Sequence, residues 1–497
     1  GSSSASGSSS GSDAGTPSEA SVYMFHKHAN RDGFFVDPAI TAASAKTVHN
    51  DASFDGTVDG HVYASPLYAD ASLCGKGLVY IATQNNNVYA LDEATGKPAW
   101  TVNVGPAAQQ SGAGCGDIMP LGVTGTPAID PATKLLVLDA AVADGSGNIG
   151  SHTVFAIDAC NGGMPKWSVD VSMVKDAMGR AFTAMPQNQR GAALIVNGYA
   201  YFVYGGHIGD CGPYNGWVMA VPLDGNVANA HGWRTDSDQS GIWGPGGPSS
   251  DGQSVFVTTG NIWDGTFGRS WAGSEAVFRL GLDLSFTKAT QDYYTPANWD
   301  ALDRSDTDMS GSGALVIDAP GMTPSALLMA MGKDGNLYLL DRTNLGGMGA
   351  TIVGTSHVLN AEISNAGAFA TISGTTYVVM RPNSTGNVGA GCATGSGDLV
   401  AVKLDMTAPN KMANVWCANS GGNSSPVITS SDGTKDALVW VAGAEGDSQL
   451  HAFDLLTGTP VFAGGSVNNM RHLSSTLLVA NGRIYAAGDG QVYALKP

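Results

Sequence analysis

The sequence predicts an all-β fold, an eight-bladed β-propeller of four-stranded antiparallel blades that is closed by an N-terminal strand completing the last blade. The main observation is a five-residue strand motif: an apolar residue, a large residue, a small or apolar one, an apolar one and then usually Asp. It occurs eight times, and its final residues are 42 to 66 positions apart. Helical periodicity is nearly absent, and linear solenoids have shorter repeats. The copies are Val88–Asp92, Val154–Asp158, Val218–Pro222, Val277–Gly281, Leu337–Asp341, Leu399–Lys403, Leu450–Asp454 and Val492–Lys496.

Each copy is the second arm of a predicted hairpin. An apolar strand precedes it, as in Leu78–Thr83 and Ser254–Thr259, and a turn such as Lys333–Asn336 joins the two. The Gly, Asn and Asp residues of these turns adopt the positive φ that tight hairpins need. Small residues such as Ser65 and Thr126 begin a further strand upstream. The pattern therefore predicts four strands in each blade.

The ends of the chain suggest how the ring closes. The last copy ends beside Pro497, so the eighth repeat contains no outer strand of its own. The strand-like segment Ser21–His26 has no other partner, and we expect it to supply that strand, because closure removes an exposed sheet edge. Residues 21–497 are then a single propeller that follows a flexible Gly/Ser linker at residues 1–20.

The linker tract has two interpretations. It resembles the spacer that follows the acylated Cys of a bacterial lipoprotein, which would place a lipid anchor before residue 1. A cloning linker has the same composition.

The charge disfavours several classes of partner. Lys and Arg number 24 against 42 Asp and Glu, for a net charge of -18. Such a surface repels phosphate, which argues against nucleic acid and against anionic membrane surfaces. No apolar run reaches the roughly 18 residues of a transmembrane helix, so we predict no transmembrane segment.

Six cysteines indicate a protein exported from a bacterial cell, to the periplasm, the outer membrane or the outside, with up to three disulfides. Fifteen pairings are formally open. We expect Cys392–Cys417, with Cys74–Cys115 next, and six buried thiols are the alternative. No CxxCH motif is present, so the chain carries no c-type haem of its own.

The segment Leu78–Trp100, LVYIATQNNNVYALDEATGKPAW, resembles the repeat of PQQ-like β-propellers. That family includes the quinoprotein alcohol dehydrogenases and non-catalytic scaffold lipoproteins of the BamB type. The resemblance covers residues 21–497. It is specific for the fold but not for the function.

Four positions resemble the cofactor site of the dehydrogenases. The resemblance implies that Trp243 is the floor under the PQQ ring and that Asn261 helps to hold Ca²⁺. It also implies that Asp308 is the general base and that Lys333 contacts the quinone oxygens. Each residue has a structural alternative: blade packing for Trp243, turn capping for Asn261, an Asx-turn for Asp308 and a hairpin turn for Lys333.

Two features depart from the family pattern. The chain has no vicinal Cys-Cys pair, and no Glu lies in the stretch His207–Trp217 where the family carries a Ca²⁺ ligand. We expect Asp210 to take that place. We also expect Gln189, Arg190 and His207 to line the same mouth and contact the cofactor, since long propeller loops gather on one face.

Three functions remain open. The first is a PQQ- and Ca²⁺-dependent dehydrogenase of an alcohol or sugar that passes electrons to a separate cytochrome or quinone. The second is a non-catalytic surface lipoprotein that binds a protein or glycan on a propeller face, and the third is a polysaccharide-acting enzyme. Convergence of Trp243, Asn261, Asp308 and Lys333 on the central channel favours the first, whereas a channel plugged by side chains favours the second.

Overall fold

The computed structural model describes residues 20–110, 112–262, 270–472 and 476–497. Within these residues the chain forms eight sheets in chain order, here called blades 1 to 8. The strands of each blade are counted from the channel outward, without the short strands 34–36 and 187–188. The third strand in this count contains one copy of the repeated motif in every blade. The predicted eight-bladed propeller is therefore confirmed.

The strands of blades 1 to 4 are Leu67–Ala69, Leu78–Ala82, Asn87–Asp92 and Pro98–Asn103; Ala128–Asp130, Leu135–Ala143, Ile149–Asp158 and Gly162–Asp170; Gln187–Asn188, Leu194–Val196, Tyr199–Gly206, Trp217–Pro222 and His231–Arg234; and Ser249–Ser250, Ser254–Thr259, Ala276–Gly281, Tyr293–Thr295 and Gly347–Met348. Those of blades 5 to 8 are Leu315–Asp318, Ala326–Met331, Asn336–Asp341 and Gly354–His357; Ala368–Ile372, Thr375–Met380, Leu399–Leu404 and Met412–Ala418; Phe34–Val36, Val427–Ser430, Leu438–Ala442, Leu450–Asp454 and Pro460–Gly464; and His49–Asn50, Gly56–Thr57, Leu478–Ala480, Arg483–Gly488 and Gln491–Lys496. The helices are Ala71–Cys74 and Trp299–Arg304, with short 3-10 turns at Ser44–Thr47, Val171–Met173, Val227–Asn229, Thr290–Asp292 and Pro409–Lys411.

The core consists of apolar layers between successive blades. In the second strand of blade 1, Tyr80 faces the layer shared with blade 2, while Val79 and Ile81 face the layer shared with blade 8. This alternation follows from the two-residue period of a strand. One layer contains residues of blades 7, 8 and 1 together, among them Trp440 and Tyr485, so the ring is closed.

An N-terminal segment completes blade 8, as expected, but it is a later segment than Ser21–His26. His49–Asn50 and Gly56–Thr57 pair antiparallel with Gln491–Lys496. Asp51, between the two short strands, forms ion pairs with Arg483 at 2.9 Å and Lys496 at 3.0 Å. The assignment to Ser21–His26 was wrong because the free inner edge of blade 1 competes for that segment, and Val22 pairs with Tyr68 there.

Residues 22–37, here called the N-terminal belt, visit all eight blades in order. The belt contacts every blade at least once: Val22 with Tyr68, Tyr23 O with Ile129 N, Met24 Sδ with Ile195 N, Ala29 O with Ser250 N, Asn30 O with Val316 N, Asp32 O with Phe369 N, Gly33 O with Ile428 N, and Asp37 Oδ2 with Gly482 N. The inner strands have one unpaired edge along the channel, and the belt satisfies part of it.

Two side chains of the belt close the channel. Phe25 is buried against Ala192 of blade 3 and Ala366 of blade 6. Arg31, 1% exposed, donates to the carbonyl oxygens of Phe25, Ala192 and Ala193 and to that of Pro248. Blades on opposite sides of the ring are thus joined through the belt.

Three disulfides join Cys74 to Cys160, Cys115 to Cys211 and Cys392 to Cys417. The expected pair Cys392–Cys417 is confirmed, whereas Cys74–Cys115 was wrong. Cys74 ends a short helix after the inner strand of blade 1. Its partner Cys160 follows the third strand of blade 2, which lies beside blade 1 in the ring although the two cysteines are 86 residues apart. Three disulfides fit an exported protein. No helix among the described residues is long and apolar enough to cross a membrane.

Candidate functional site at the channel mouth

A cavity of about 470 Å³ opens at one end of the channel. The belt contacts the inner strands and the turns that follow them. The cavity lies where the inner strands begin and the second strands end, which in an antiparallel blade is the other end. It is therefore a cup whose base is closed by the belt.

Two positions of the repeat supply most of the lining. The loop after the second strand contributes His207 in blade 3, Asn261 in blade 4, Lys333 in blade 5 and Asn383 in blade 6. The approach to the inner strand contributes Arg190, Trp243, Asp308 and Ser364 from the same four blades. Because the blades repeat, equivalent positions lie on one rim, and seven of the eight predicted site residues line this cavity.

Asp308 is the centre of the site and is only 3% exposed. Its Oδ1 accepts a hydrogen bond of 2.6 Å from the backbone N–H of Asn261. Its Oδ2 lies 2.7 Å from Lys333 Nζ and accepts a hydrogen bond of 3.2 Å from Trp243 Nε1. Trp243, Asn261 and Lys333 thus all contact Asp308 directly.

Gly260 explains the Gly-Asn sequence before the loop. A Cβ at this position would lie 2.6 Å from Asp308 Oδ1, so only glycine lets the carboxylate reach the backbone of Asn261.

The electrostatics of the pair suit a proton acceptor. Burial raises the pKa of Asp308 above its ordinary value, although Lys333 opposes the shift. Burial lowers the pKa of Lys333, but Asp308 and Asp306 outweigh it and raise that pKa. Lys333 therefore stays charged, while the raised pKa makes Asp308 a stronger proton acceptor than a solvent-exposed carboxylate.

Two cations lie close to the ring of Trp243. Arg190 is 5.4 Å and Lys333 is 5.3 Å from its ring centroid. An aromatic face flanked by a guanidinium and an ammonium suits a planar ring that carries negative charge.

The blade 3 loop forms the opposite wall. Tyr214 donates a hydrogen bond of 2.6 Å to Asp210, and His207 Nε2 lies 3.1 Å from the carbonyl oxygen of Met185. Burial lowers the pKa of His207 to about 4, so its ring is neutral at pH 7. The disulfide Cys115–Cys211 joins this loop to the connection between blades 1 and 2.

Gln189 is the predicted site residue that does not line the cavity. It is buried in the wall between blades 2 and 3, where its side chain donates to Gly191 O and its carbonyl oxygen accepts from Thr124 Oγ1. Next to Arg190 in sequence, it points the other way because neighbouring residues of an extended chain face opposite sides.

Glu275 was missed by the sequence analysis. It is wholly buried with a positive φ of 49°, and its Oε2 accepts a hydrogen bond from Met309 N, the residue after Asp308. Burial and then Asp308 raise its pKa well above the ordinary value, so it is held protonated. No sequence signal marks it, because Glu275 directly precedes a strand, as many polar residues do.

The lining also includes Asp306, Glu362 and His472. Its carboxylates, which include Asp210 and Asp308, outnumber the cations Arg190 and Lys333 by four to two. No cluster of three or more metal-ligating side chains occurs in the described parts of the chain.

No protein-family model matches the chain, and no curated protein matches it. Solved structures do resemble it. Quinohemoprotein alcohol dehydrogenase from Comamonas testosteroni aligns with a TM-score of 0.64 at 14% identity, covering 96% of this chain and 80% of that one. Quinohemoprotein alcohol dehydrogenase ADHIIG from Pseudomonas putida HK5 aligns with a TM-score of 0.66 at 14% identity, covering 96% of this chain and 80% of that one. A europium-containing methanol dehydrogenase aligns with a TM-score of 0.62 at 14% identity, covering 95% of this chain and 91% of that one.

The fold is that of the quinoprotein dehydrogenase propeller. The expectation of a PQQ-like propeller is confirmed at this level. Identity of 14% shows the fold alone, so the chemistry of this propeller must be argued from its own cavity.

Proposed function

We propose that this protein is an exported PQQ- and Ca²⁺-dependent dehydrogenase that oxidises the hydroxyl group of an alcohol or sugar. The observation that carries the proposal is the contact of Asp308 with Trp243, Asn261 and Lys333 inside one cavity. These residue types were selected by their resemblance to a cofactor site, and packing or turn formation alone does not require that they meet.

The residues fit the cofactor in kind. Trp243 offers an aromatic face, and Arg190 and Lys333 beside it can neutralise carboxylates. Asn261 and Asp210 supply the oxygen ligands that Ca²⁺ prefers. Ser364 lines the cavity, and its buried Oγ has no hydrogen-bond partner among the described residues. The volume lies within the roughly 300–1,000 Å³ of small-molecule sites.

PQQ held by Trp243, Arg190 and Lys333 would supply the acceptor for the hydride that leaves the hydroxyl-bearing carbon. Asp308 would take the hydroxyl proton, for which its raised pKa is suited. Lys333 would remain charged and hold the Asp308 carboxylate and the ligand in register. The belt excludes water from the lower end of the channel through Phe25. Electrons would leave to a separate cytochrome or quinone.

One observation favours the second candidate, a non-catalytic surface that binds a protein or glycan. The cavity carries four carboxylates and two cations, and Lys333 already pairs with Asp306 and Asp308. A trianionic cofactor needs a divalent cation to enter such a site, whereas a polyhydroxyl or cationic group of a partner does not.

The test is a titration of the purified protein with PQQ, with and without Ca²⁺, followed by tryptophan fluorescence and calorimetry. We expect Ca²⁺-dependent quenching that saturates near one equivalent, is lost in Trp243→Ala and is retained in Trp243→Phe. A panel of alcohols and sugars with an artificial electron acceptor then identifies the substrate. Absence of binding at high micromolar PQQ with Ca²⁺ would rule out the dehydrogenase and favour the partner-binding surface.

A further inference from the structure

A second pocket, of about 300 Å³, lies between blades 3 and 4 and shares no residue with the central cavity. Here it is called the interblade pocket. Its walls come from the outer strand of blade 3, from the third and fourth strands of blade 4 with the turn between them, and from the loop segments 176–180 and 271–273. The chemistry argued for the channel mouth does not use it.

The inner wall of the interblade pocket is aromatic. Trp271 stacks on Tyr293 with centroids 4.7 Å apart and an interplanar angle of 22°. Trp233 and Phe286 both pack against Phe278 at 4.9 and 5.3 Å. Trp271, Phe286 and Tyr293 stay partly exposed. Trp271 also stacks on Phe278 at 6.1 Å and 15°, so the wall is an aromatic stack, and its exposed parts suit the C–H face of a pyranose ring.

The rim of the interblade pocket is charged. Asp236 bridges Arg180 at 3.1 Å and Lys288 at 2.7 Å, and Arg180 also contacts Asp176 at 2.5 Å. Both carboxylates of the rim are therefore engaged by cations. Carboxylate and guanidinium groups fixed in this way form directional hydrogen bonds with sugar hydroxyl groups.

Arg234 supplies the remaining charge of the rim. Its nearest carboxylate is the exposed Asp238, 4.0 Å away, and its side chain is 15% exposed. Its Nε donates a hydrogen bond of 3.0 Å to the carbonyl oxygen of Thr235. Burial and the positive charge of Arg180 lower the pKa of Arg234, although Asp238, Asp176 and Asp236 oppose the shift. With Asp238 included, Arg180, Arg234 and Lys288 face three carboxylates, of which Asp238 is largely exposed and is the most distant from its cation.

We propose that the interblade pocket binds a carboxylated sugar ring, a uronic acid residue of an acidic oligosaccharide. The pyranose face packs on the aromatic wall of Trp271 and Phe286, and the carboxylate lies at Arg234 beside Arg180. A neutral sugar would leave Arg234 with the exposed Asp238 as its nearest carboxylate. The proposal is independent of the function proposed for the channel mouth.

The test uses the full chain, with tetramers of galacturonate, glucuronate and mannuronate as probes, a neutral galactose tetramer and benzoate as comparison ligands, and calorimetry with ligand-observed NMR as readouts. We expect saturable binding of at least one uronate tetramer that weakens with salt. Affinity should fall at least ten-fold in Trp271→Ala and in Arg234→Gln. Trp243→Ala, in the other cavity, should bind as the unmodified chain does.

Lys288→Glu separates a loss of binding from a folding defect. The Lys288 side chain is 66% exposed, so its replacement should leave the fold intact. Reversal of its charge should also weaken the uronate. The proposal is overturned by absence of binding to all three uronates, by equal binding of the neutral tetramer, by full competition from benzoate alone, or by affinity that Arg234→Gln and Lys288→Glu leave unchanged.

Discussion

The backbone N–H of Asn261 donates a 2.6 Å hydrogen bond to Oδ1 of Asp308. This bond joins the loop after the second strand of blade 4 to the approach to blade 5. It holds the carboxylate against Gly260 with its second oxygen on Lys333. The candidate base is thus oriented by the backbone of the residue assigned to the metal.

Replacement of Asp308 should separate chemistry from binding. In Asp308→Asn we expect any dehydrogenase activity to fall by roughly 10²–10⁴, because the amide cannot accept a proton, while PQQ still quenches tryptophan fluorescence. Asp306→Asn is the matched control, since Asp306 also contacts Lys333 but is largely exposed. Comparable activity in the Asp308→Asn variant and the unmodified chain would remove Asp308 as the base.

Replacement of Lys333 should destabilise the fold in a pH-dependent way. Lys333→Met leaves the buried Asp308 without its cation, which costs about 3–5 kcal/mol in the free energy of unfolding when the carboxylate is charged. The deficit should be largest at pH 8 and shrink at pH 5, because Asp308 can then be protonated. Urea unfolding at both pH values measures it. Lys435→Met, at an exposed ion pair, should leave the free energy of unfolding nearly unchanged, and an equal cost in both variants would contradict the assignment.

Glu275 should lower the free energy of unfolding at high pH. Its pKa is raised in the folded chain, so the native state keeps the proton that the unfolded state loses above about pH 4.5. The free energy of unfolding of the unmodified chain should therefore fall relative to Glu275→Gln as pH rises from 4.5 to 8. Denaturant unfolding of the two proteins across this range tests it, with Glu362→Gln as an exposed control. A difference between the two that does not change with pH would show that Glu275 is ionised in the fold.

His26 of the belt should lower the free energy of unfolding at low pH. Burial and then Arg31 lower its pKa to about 3, so between pH 6.5 and 3 the unfolded state binds a proton that the native state does not. Stability should be lost as pH falls through this window. In His26→Asn, which tolerates the positive φ of 55°, we expect the loss between pH 6.5 and 4 to be smaller by about 1–3 kcal/mol. His28→Asn, at a side chain that is 51% exposed, should keep the slope of the unmodified chain, and identical slopes in all three proteins would mean that His26 is solvated.

The candidate site was predictable where it follows the repeat. Asn261 and Lys333 occupy equivalent positions after second strands, and Trp243 and Asp308 occupy equivalent positions before inner strands. A repeat converts sequence spacing into a common rim, so a resemblance at four separate places predicted their convergence. Glu275 was not predictable, because its role depends on contact with Met309 across a blade boundary.

The sequence by itself determined the strands, their turns, the number of blades and the rim on which the site residues lie, since all of these follow from local periodicity repeated eight times. Only the tertiary structure decided three further features: the pairing of Cys74 with Cys160, the use of His49–Thr57 to complete blade 8, and the path of the belt across all eight blades. The physical reason is the same in each case. These contacts join residues that are distant in sequence, and several segments of similar composition compete for each free edge or thiol, so the choice rests on which partner the closed ring brings within reach.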